Sequence, residues 1–437
     1  MNKISESLEA RGFGKERFQT VPCLPAIVSK TAVILEYLLL SVLSLILVIA
    51  PYFRHEVKWF AYISFGLWLA LKLFQIPVPG RKGLVIPAAL KIPLIVFACV
   101  SLLAVLLSRD FYHSQKILLN RFLSFGLFFV IGADMAFTSR RNFFWLIASF
   151  LFSAGLLAIG CLRDYFLFHP GRLYTSFGKA IPFAMLPVFI TYYFPFNFAL
   201  FFFCKNRFLK IFSLVALLLL LPCVVWQGAR AAWVAIAVGV LFTCVFMKRR
   251  FSLSVLLVLA MVFLSGLFVP EIRQKLESIP HPSQWNYRTP LFDSALKMFK
   301  DYPVFGAGLG MFEKLIKEPK YALPADYPNA DRSIYLHAHN LYLELLAEMG
   351  IIGLAAFLLL FFAYFYCVFF YCKKLKDIDC RAAIIGIAAL VAAVLVSGVA
   401  NSIVTVGVNE PFMFWILFGI SVGLLSIKKE TGEKRNG

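Results

Sequence analysis

The stretch HAHNLYLELLAEMGIIG, residues 337–353, joins a polar segment to a long apolar run. It places His337, His339 and Asn340 at the mouth of a predicted helix. Imidazole exchanges a proton near neutral pH, and polar groups at membrane depth are costly unless they serve a site or a pathway. The stretch therefore predicts a membrane helix that begins at a chemically reactive turn.

The composition is that of a polytopic membrane protein. Of the 437 residues, 61% are hydrophobic and 15% are charged, whereas soluble domains are about 45–50% apolar and about 25% charged. A membrane span needs about 20 apolar residues. Runs of that kind lie near 32–52, 57–77, 88–108, 117–137, 143–162, 181–203, 211–227, 231–247, 252–270, 350–371, 382–406 and 411–427. We predict an all-α integral membrane protein of about 12 transmembrane helices, with residues 1–437 forming a single membrane domain.

The net charge of +20 would suit a nucleic-acid-binding protein, but the distribution of the basic residues argues against that class. They are concentrated in every second linker, for example at Arg140-Arg141, Lys248-Arg249-Arg250 and Lys373-Lys374. This is the positive-inside pattern of membrane proteins. It predicts that both termini are cytoplasmic and that nucleic acid is not a partner. The polar first thirty residues have no apolar core of a signal peptide, so they are predicted to be a cytoplasmic lead-in.

The segment at about 271–346 is predicted to be one large loop on the outer side that contains short helices. Thr289-Pro290 predicts a helix over 291–300, because Thr can cap a helix and Pro suits its first position. Leu291, Ala295, Leu296 and Phe299 share one face of that helix. Gly306, Gly308 and Gly310 then break it. These glycines either bring backbone amides close to a ligand or form a plain turn.

Metal and disulfide sites are not predicted. The nine cysteines form no CxxC motif and lie outside the polar loop, which disfavours structural disulfides and zinc. Asp377-Ile-Asp379 looks like the Asp-x-Asp of metal-dependent sugar transferases, but it lies among lysines on the predicted inner side. We interpret it as solvated surface, and we predict no cofactor.

Several polar residues are candidates for chemistry. His339 can take a proton from a hydroxyl group, or it can simply cap the helix. Arg172, Arg230 and Arg288 lie near the outer side, where guanidinium can hold phosphate oxygens in a bidentate fork or snorkel to lipid. Charges inside apolar runs keep a transporter possible; they are Glu36, Lys91, Arg121 and Asp134, and Arg121 is near the outer end of its run.

Three blocks, taken in order, resemble the O-antigen ligase/polymerase superfamily of lipid-linked glycan transferases. They are Gly228 to Val234 (GARAAWV), Tyr287 to Phe312, and His339-Asn340 followed by Gly350 and Gly353. Val234 stands where the family usually has Leu, and Leu354-Ala355 stands where many ligases carry threonines. These departures leave ligase and polymerase both open.

The resemblance implies a bacterial inner-membrane glycosyltransferase of lipopolysaccharide biosynthesis with a periplasmic, metal-independent active site. The implied donor is an undecaprenyl-pyrophosphate-linked glycan, and the acceptor is a lipid A-core sugar hydroxyl for a ligase or another lipid-linked repeat for a polymerase. His339 would be the base, supported by His337 and Asn340. The implied pyrophosphate ligands are Arg230, Arg288 and, more weakly, Arg172. A neutral histidine is required, so activity is expected to fall as the pH drops below its pKa. A flippase or transporter for a lipid-linked anion is a third possibility.

Overall fold

The computed structural model describes residues 26–51, 57–75, 84–168, 186–250, 252–254, 257, 288–324, 337–401 and 409–427. Within these ranges the chain is helical apart from short connections, and it contains no β-strand. The all-α prediction is confirmed for this part of the chain. Arg172 lies outside the described residues.

The long helices follow the apolar runs of the sequence. Their bounds are α1 Ala26–Ile49, α2 Val57–Gln75, α3 Ala88–Leu106, α4 Phe111–Ile117, α5 Leu123–Thr138, α6 Arg140–Phe168, α7 Leu186–Phe203, α8 Arg207–Trp226, α9 Arg230–Cys244, α10 Thr289–Asp301, α11 Met311–Leu315, α12 Leu341–Tyr371, α13 Ile378–Ser397 and α14 Asn409–Ser426. A π-helical turn, Leu118–Phe122, joins α4 to α5.

Eight helical segments in the described ranges are long and apolar enough to cross a membrane. Three more, at Tyr62–Phe74, Arg230–Cys244 and Pro411–Ser426, are apolar but shorter. The predicted run near 252–270 lies almost entirely outside the described residues. The chain is therefore a multi-pass membrane protein by the length and composition of its helices, while the number of twelve spans stays a prediction.

The core forms where α14 packs along α5, α13 packs against α7 and α9, and α12 packs against α3. Small residues allow the close contacts. A Cβ atom at Gly419 of α14 would lie 2.1 Å from the Phe129 carbonyl oxygen of α5, so only glycine permits this approach. A buried Tyr364 hydroxyl bonds to the Ser421 hydroxyl at 2.8 Å and links α12 to α14. These contacts pack α12, which follows residues 337–340, against α3 and α14.

The described part of the predicted loop has its own small core. Helix α10 buries Leu291, Ala295 and Met298, and these residues cluster with Met311 and Phe312 of α11 and with Ala338 and Ala347 beside and on α12. The apolar face of α10 thus packs on the protein. Two details of the prediction were wrong. Leu296 is 39% exposed. Ser294 donates a hydrogen bond to the Tyr321 carbonyl at 2.8 Å, so the buried face of α10 contains Ser294 and not Leu296. Arg288, and not Thr289, occupies the N-cap position.

The connections gather at two ends of the bundle. The end with α10, α11 and residues 337–340 is called the loop end. The opposite end is called the paired end, because its charged residues form cross-helix ion pairs, such as Arg140 with Asp377 at 3.2 Å. Which compartment each end faces stays a prediction.

Candidate active site

The histidine turn, residues 337–340, is fixed to the start of α12. Asn340 is the N-cap: its side-chain oxygen accepts hydrogen bonds from the amides of Tyr342 at 3.0 Å and Leu343 at 3.1 Å. Ala338, between the two histidines, is completely buried in the small loop core. The cap is therefore Asn340 and not His339. Because Ala338 anchors the turn, both imidazole rings are held at the helix mouth.

His339 has a backbone conformation that its neighbours impose. Its φ is +50°, a left-handed conformation that costs most L-residues about 1–2 kcal/mol. The His339 amide donates to Nδ1 of His337 at 3.2 Å, and the ring centroids are 3.9 Å apart. Nδ1 of His337 is thus an acceptor, which places the proton of the neutral ring on Nε2. The two imidazoles form one unit in which His337 positions the backbone of His339.

His337 is neutral at physiological pH in this environment. Burial lowers the pKa of His337 to about 3, and the neighbouring His339, Arg121 and Arg288 act in the same direction. A cationic imidazole is disfavoured when it loses water and faces other positive groups. The charges around His337, together with its burial, therefore explain its neutral form.

Two arginines from distant parts of the sequence meet near this turn. Arg230 begins α9 and Arg288 precedes α10. Burial lowers the pKa of Arg288, and the charge of Arg230 lowers it further. The charge of Arg288 also acts on His337. Electrostatic effects therefore link Arg230 to Arg288 and Arg288 to His337. Like charges repel unless an anion lies between them.

Arg121 joins the same group from the π-helical turn between α4 and α5. It acts on His337 and forms an ion pair with Glu313 of α11 at 3.9 Å. The sequence places Arg121 only near the outer end of an apolar run. Its position beside the histidine turn depends on the packing of the loop, which no local pattern reveals.

Two buried carboxylates were missed by the sequence analysis. Glu344 is 4% exposed, and its side chain accepts a hydrogen bond from the Ala338 amide at 3.3 Å. Glu348 is also buried and accepts from the Phe312 amide at 3.2 Å. They lie four residues apart and therefore on one face of α12. Acidic residues at the mouth of an apolar run are the signal that could have found them. Glu344 holds the histidine turn, and Glu348 holds α11.

The glycine turn docks on a break in α12. The amides of Ala307 and Gly308 donate to the carbonyls of Ala347 at 2.9 Å and Glu348 at 3.0 Å. Gly350 interrupts α12 with φ +65°, and a Cβ there would lie 2.3 Å from the Val304 carbonyl oxygen. Of the two interpretations of the glycines, the structure supports the turn: these amides bind the helix backbone. This also explains why the sequence needs glycine at position 350.

A second contact fixes the glycine turn to the start of α4. Ser114 donates to the Leu309 carbonyl at 2.8 Å, and Nε2 of His113 is 3.0 Å from the Gly310 carbonyl oxygen. His113 is therefore a structural residue of the docked loop. The loop end is one connected assembly of α4, the loop helices and α12.

The arrangement suits an acid–base reaction on an anionic substrate. A neutral imidazole can accept a proton from a hydroxyl group, and guanidinium groups can bind and stabilise a phosphate leaving group. Within the described ranges, no group of three or more His, Cys, Asp or Glu side chains is placed to hold a metal ion. The metal-independent reaction stays a prediction.

The family model described as O-antigen ligase matches residues 215–358. The resemblance to the O-antigen ligase/polymerase superfamily is confirmed. The matched region contains Arg230, Arg288 and the histidine turn, and it ends just after the break at Gly350. A comparison with curated proteins gave no match. The O-antigen ligase region is therefore about one third of the chain and carries most of the candidate site, whereas Arg121 and Arg172 lie before it.

Members of this superfamily are membrane glycosyltransferase-like enzymes, and the described part of this chain has the helices of a multi-pass membrane protein. Lipid-linked glycans are the substrate class that this implies. The roles of the individual residues, the donor and the acceptor are proposals.

Proposed function

We propose that this protein is an O-antigen ligase-like glycosyltransferase. It moves a glycan from undecaprenyl pyrophosphate to a sugar hydroxyl of lipid A-core at the periplasmic face of the bacterial inner membrane. The observation that carries the proposal is the histidine turn, which lies in the electrostatic field of the half-buried Arg288 inside the O-antigen ligase region. A proton acceptor and a phosphate-binding group are the two parts that this transfer needs.

In the proposed step, His339 takes the proton of the acceptor hydroxyl. The hydroxyl oxygen forms a bond to the anomeric carbon of the glycan, and the bond from that carbon to the pyrophosphate oxygen breaks. Undecaprenyl pyrophosphate leaves with the electron pair. Arg230 and Arg288 stabilise the charge that develops on the departing oxygens, which is where fixed positive charge is most effective.

His337 and Asn340 support the base in different ways. His337 accepts the His339 amide through Nδ1, and Asn340 fixes the first turn of α12. Both contacts hold the His339 ring relative to the arginines. Arg172 is proposed as a further pyrophosphate ligand on the resemblance alone.

A polymerase of the same superfamily is the second candidate. The departures at Val234 and Leu354-Ala355 from the residues usual in ligases favour it. Both candidates use the same donor and the same base, and they differ in the acceptor.

A transporter has less support because charged residues in four helices are partnered within the protein. Asp134 accepts hydrogen bonds from Lys72 at 2.6 Å and from Trp68 at 3.2 Å. Glu36 accepts from Arg141 at 3.2 Å and from Asn142 at 2.8 Å. Intramembrane charges that are paired in this way stabilise helix packing and do not by themselves mark a transport pathway.

The deciding experiment gives the purified full-length protein, in nanodiscs, an undecaprenyl-pyrophosphate-linked glycan with either lipid A-core or a second lipid-linked repeat. We expect a new glycosidic bond to lipid A-core, with EDTA present throughout. A product formed only with the second repeat would establish the polymerase. Movement of the lipid-linked glycan across a vesicle membrane without any covalent product would overturn both and establish transport.

A further inference from the structure

Arg121 lies in an unusual piece of helix. Residues Leu118–Phe122 form a π-helical turn between α4 and α5. Such turns are rare, cost hydrogen-bond geometry and are frequent at functional sites. This one puts a permanently charged side chain at the loop end of a membrane helix, close to the docked glycine turn.

The ion pair of Arg121 is loose compared with its neighbour. The distance from its guanidinium to the Glu313 carboxylate is 3.9 Å, and the two side chains are 32% and 30% exposed. At the same end, Arg109 and Glu318 are 2.8 Å apart. A contact of 3.9 Å is too long for a charge-assisted hydrogen bond. Arg121 therefore has hydrogen-bonding capacity that Glu313 does not use, at a position open to solvent.

The groups that face Arg121 are of both signs. Glu313 lies on α11, Glu348 lies on α12, and His337 lies on the histidine turn. Arg121 thus stands between the loop helix and the candidate base. An anion bound at Arg121 would also be attracted by the positive charge of Arg288, because both arginines act on the same His337.

We propose that Arg121 is a further donor-binding residue, and that the diphosphate of the lipid-linked donor replaces Glu313 as its partner. Glu313 is then a competing carboxylate built into α11. This inference rests on the proposed function, because it takes the donor to be a lipid diphosphate. A diphosphate offers more charge and more acceptor oxygens than one carboxylate, so Arg121 favours the donor over Glu313. The positive charge of Arg121 keeps an anionic partner throughout the exchange.

The exchange would also connect donor binding to the loop. Glu313 belongs to the five-residue helix Met311–Leu315, whose first turn is tied to α12 through the Phe312 amide and Glu348. Release of Glu313 from Arg121 removes one of the contacts that hold α11 against α4 and α5. Donor binding is therefore communicated to the segment beside the histidine turn.

The test measures binding of undecaprenyl pyrophosphate to the purified full-length protein and to Arg121→Gln, Glu313→Gln and Arg109→Gln. Arg121→Gln should weaken binding roughly 10- to 100-fold, as expected for loss of a charge-assisted contact. Glu313→Gln should strengthen it by about two- to fivefold, since an exposed competing ion pair is removed. Arg109→Gln is the matched control on the same end, and it should bind as the wild type does.

A purely structural ion pair gives a different pattern, with Arg121→Gln and Glu313→Gln weakening binding alike and lowering the thermal midpoint alike; that pattern would overturn the inference. Arg121→Lys, which keeps the charge, should recover part of the affinity if the Gln variant is unstable. Normal binding by Arg121→Gln in a protein that still transfers glycan would overturn the inference and leave the proposed function standing. If the wild type did not bind the lipid diphosphate at all, both would be wrong.

Discussion

The two ends of the helical bundle differ in how they use charge. At the paired end, carboxylates and cations match across helices: Lys72 is 2.6 Å from Asp134, and Arg141 is 3.2 Å from Glu36. The loop end also has ion pairs, such as Arg109 with Glu318, but there the charge of Arg230 acts on Arg288, and the charge of Arg288 acts on His337. Matched pairs offset the free-energy cost of placing a charge near a membrane. Grouped cations add repulsion to that cost.

The difference indicates what each end is for. The paired end contains Asp379, which accepts the amides of Lys205 at 2.7 Å and Asn206 at 3.0 Å and so connects α13 to the start of α8. The carboxylates at that end stabilise the packing of the helices. Local choices that do not favour stability are expected at functional sites. The grouped cations and the left-handed His339 are choices of this kind, and both are at the loop end.

The largest effect is expected from His339→Asn. Asn tolerates the left-handed backbone that His339 adopts, so the substitution removes the imidazole with little strain. The rate of glycan transfer should fall by roughly 10²- to 10⁴-fold, the usual contribution of a general base. Arg140→Gln at the paired end is the control and should transfer at close to the wild-type rate. A His339→Asn protein with more than about a tenth of the wild-type rate would show that the base lies elsewhere.

The second effect is on the grouped cations. Arg288→Gln or Arg230→Gln should lower kcat/KM for the lipid-linked donor roughly 10- to 100-fold, because a charge-assisted contact to phosphate is lost. The KM for the acceptor should stay the same. Steady-state kinetics with each substrate varied in turn separates the two. An equal rise in the KM for the acceptor would show that these arginines do not act on the donor alone.

The third effect tests whether the loop end depends on its docked loop. Gly350→Ala places a side chain in a left-handed conformation against the Val304 carbonyl and should destabilise the protein by about 1–3 kcal/mol. Gly155→Ala in α6, where no atom lies within 4 Å of the new Cβ, is the matched control. It should be neutral or slightly stabilising, since alanine favours helix. Thermal unfolding of the two variants in the same detergent makes the comparison, and equal midpoints would show that the break in α12 tolerates a side chain.

The fourth prediction concerns the paired end itself. Asp134→Asn should destabilise the protein by about 1–3 kcal/mol, because Lys72 loses its partner in a half-buried position. The transfer rate per folded molecule should stay unchanged. Unfolding and activity must be measured on the same preparation. A loss of specific activity without a loss of stability would mean that the paired end takes part in the function.

The smallest effect is a dependence of stability on pH. His337 has a pKa of about 3 in the folded protein and an ordinary value of 6.5 when unfolded. The stability that this group provides is complete above pH 6.5 and decreases as the pH falls towards 3, since the unfolded state takes up the proton first. Between pH 7 and pH 5 the contribution of His337 should fall by about 1–2 kcal/mol, measured as the difference between the wild type and a variant without this imidazole.

His337→Asn, whose side-chain oxygen can replace Nδ1 as an acceptor, should remove this slope. The pKa values of Asp110 and Asp301 are lowered by bonds to Lys314 and Lys320, so those carboxylates titrate below the interval used. Equal slopes for the wild type and His337→Asn would contradict the account of a buried neutral His337.

The sequence predicts the residues of the loop end better than their arrangement. Arg230, Arg288 and the histidine turn stand out because they follow or precede apolar runs, and this local signal is strong. The pairing of Lys72 with Asp134 joins residues 62 positions apart, and periodicity says nothing about such contacts. For the same reason the prediction of Asp377 and Asp379 as solvated surface is wrong: Asp377 caps α13, and Asp379 binds two backbone amides.

The loop helix shows where local patterns reach their limit. The apolar spacing predicts that α10 packs against the protein, and it does. The pattern allows two neighbouring faces, and the hydrogen bond of Ser294 to Tyr321 selects one of them. Glu344 and Glu348 were missed because their structural roles depend on burial against the histidine turn and α11.

The most direct test compares binding and transfer in two variants of the loop end. We would measure the affinity for undecaprenyl pyrophosphate and the rate of glycan transfer in His339→Asn and Arg288→Gln. The account predicts that His339→Asn binds the lipid as the wild type does but transfers glycan at least about a hundredfold more slowly, while Arg288→Gln binds it roughly tenfold or more weakly. Wild-type transfer by His339→Asn, or wild-type affinity in Arg288→Gln, would contradict it.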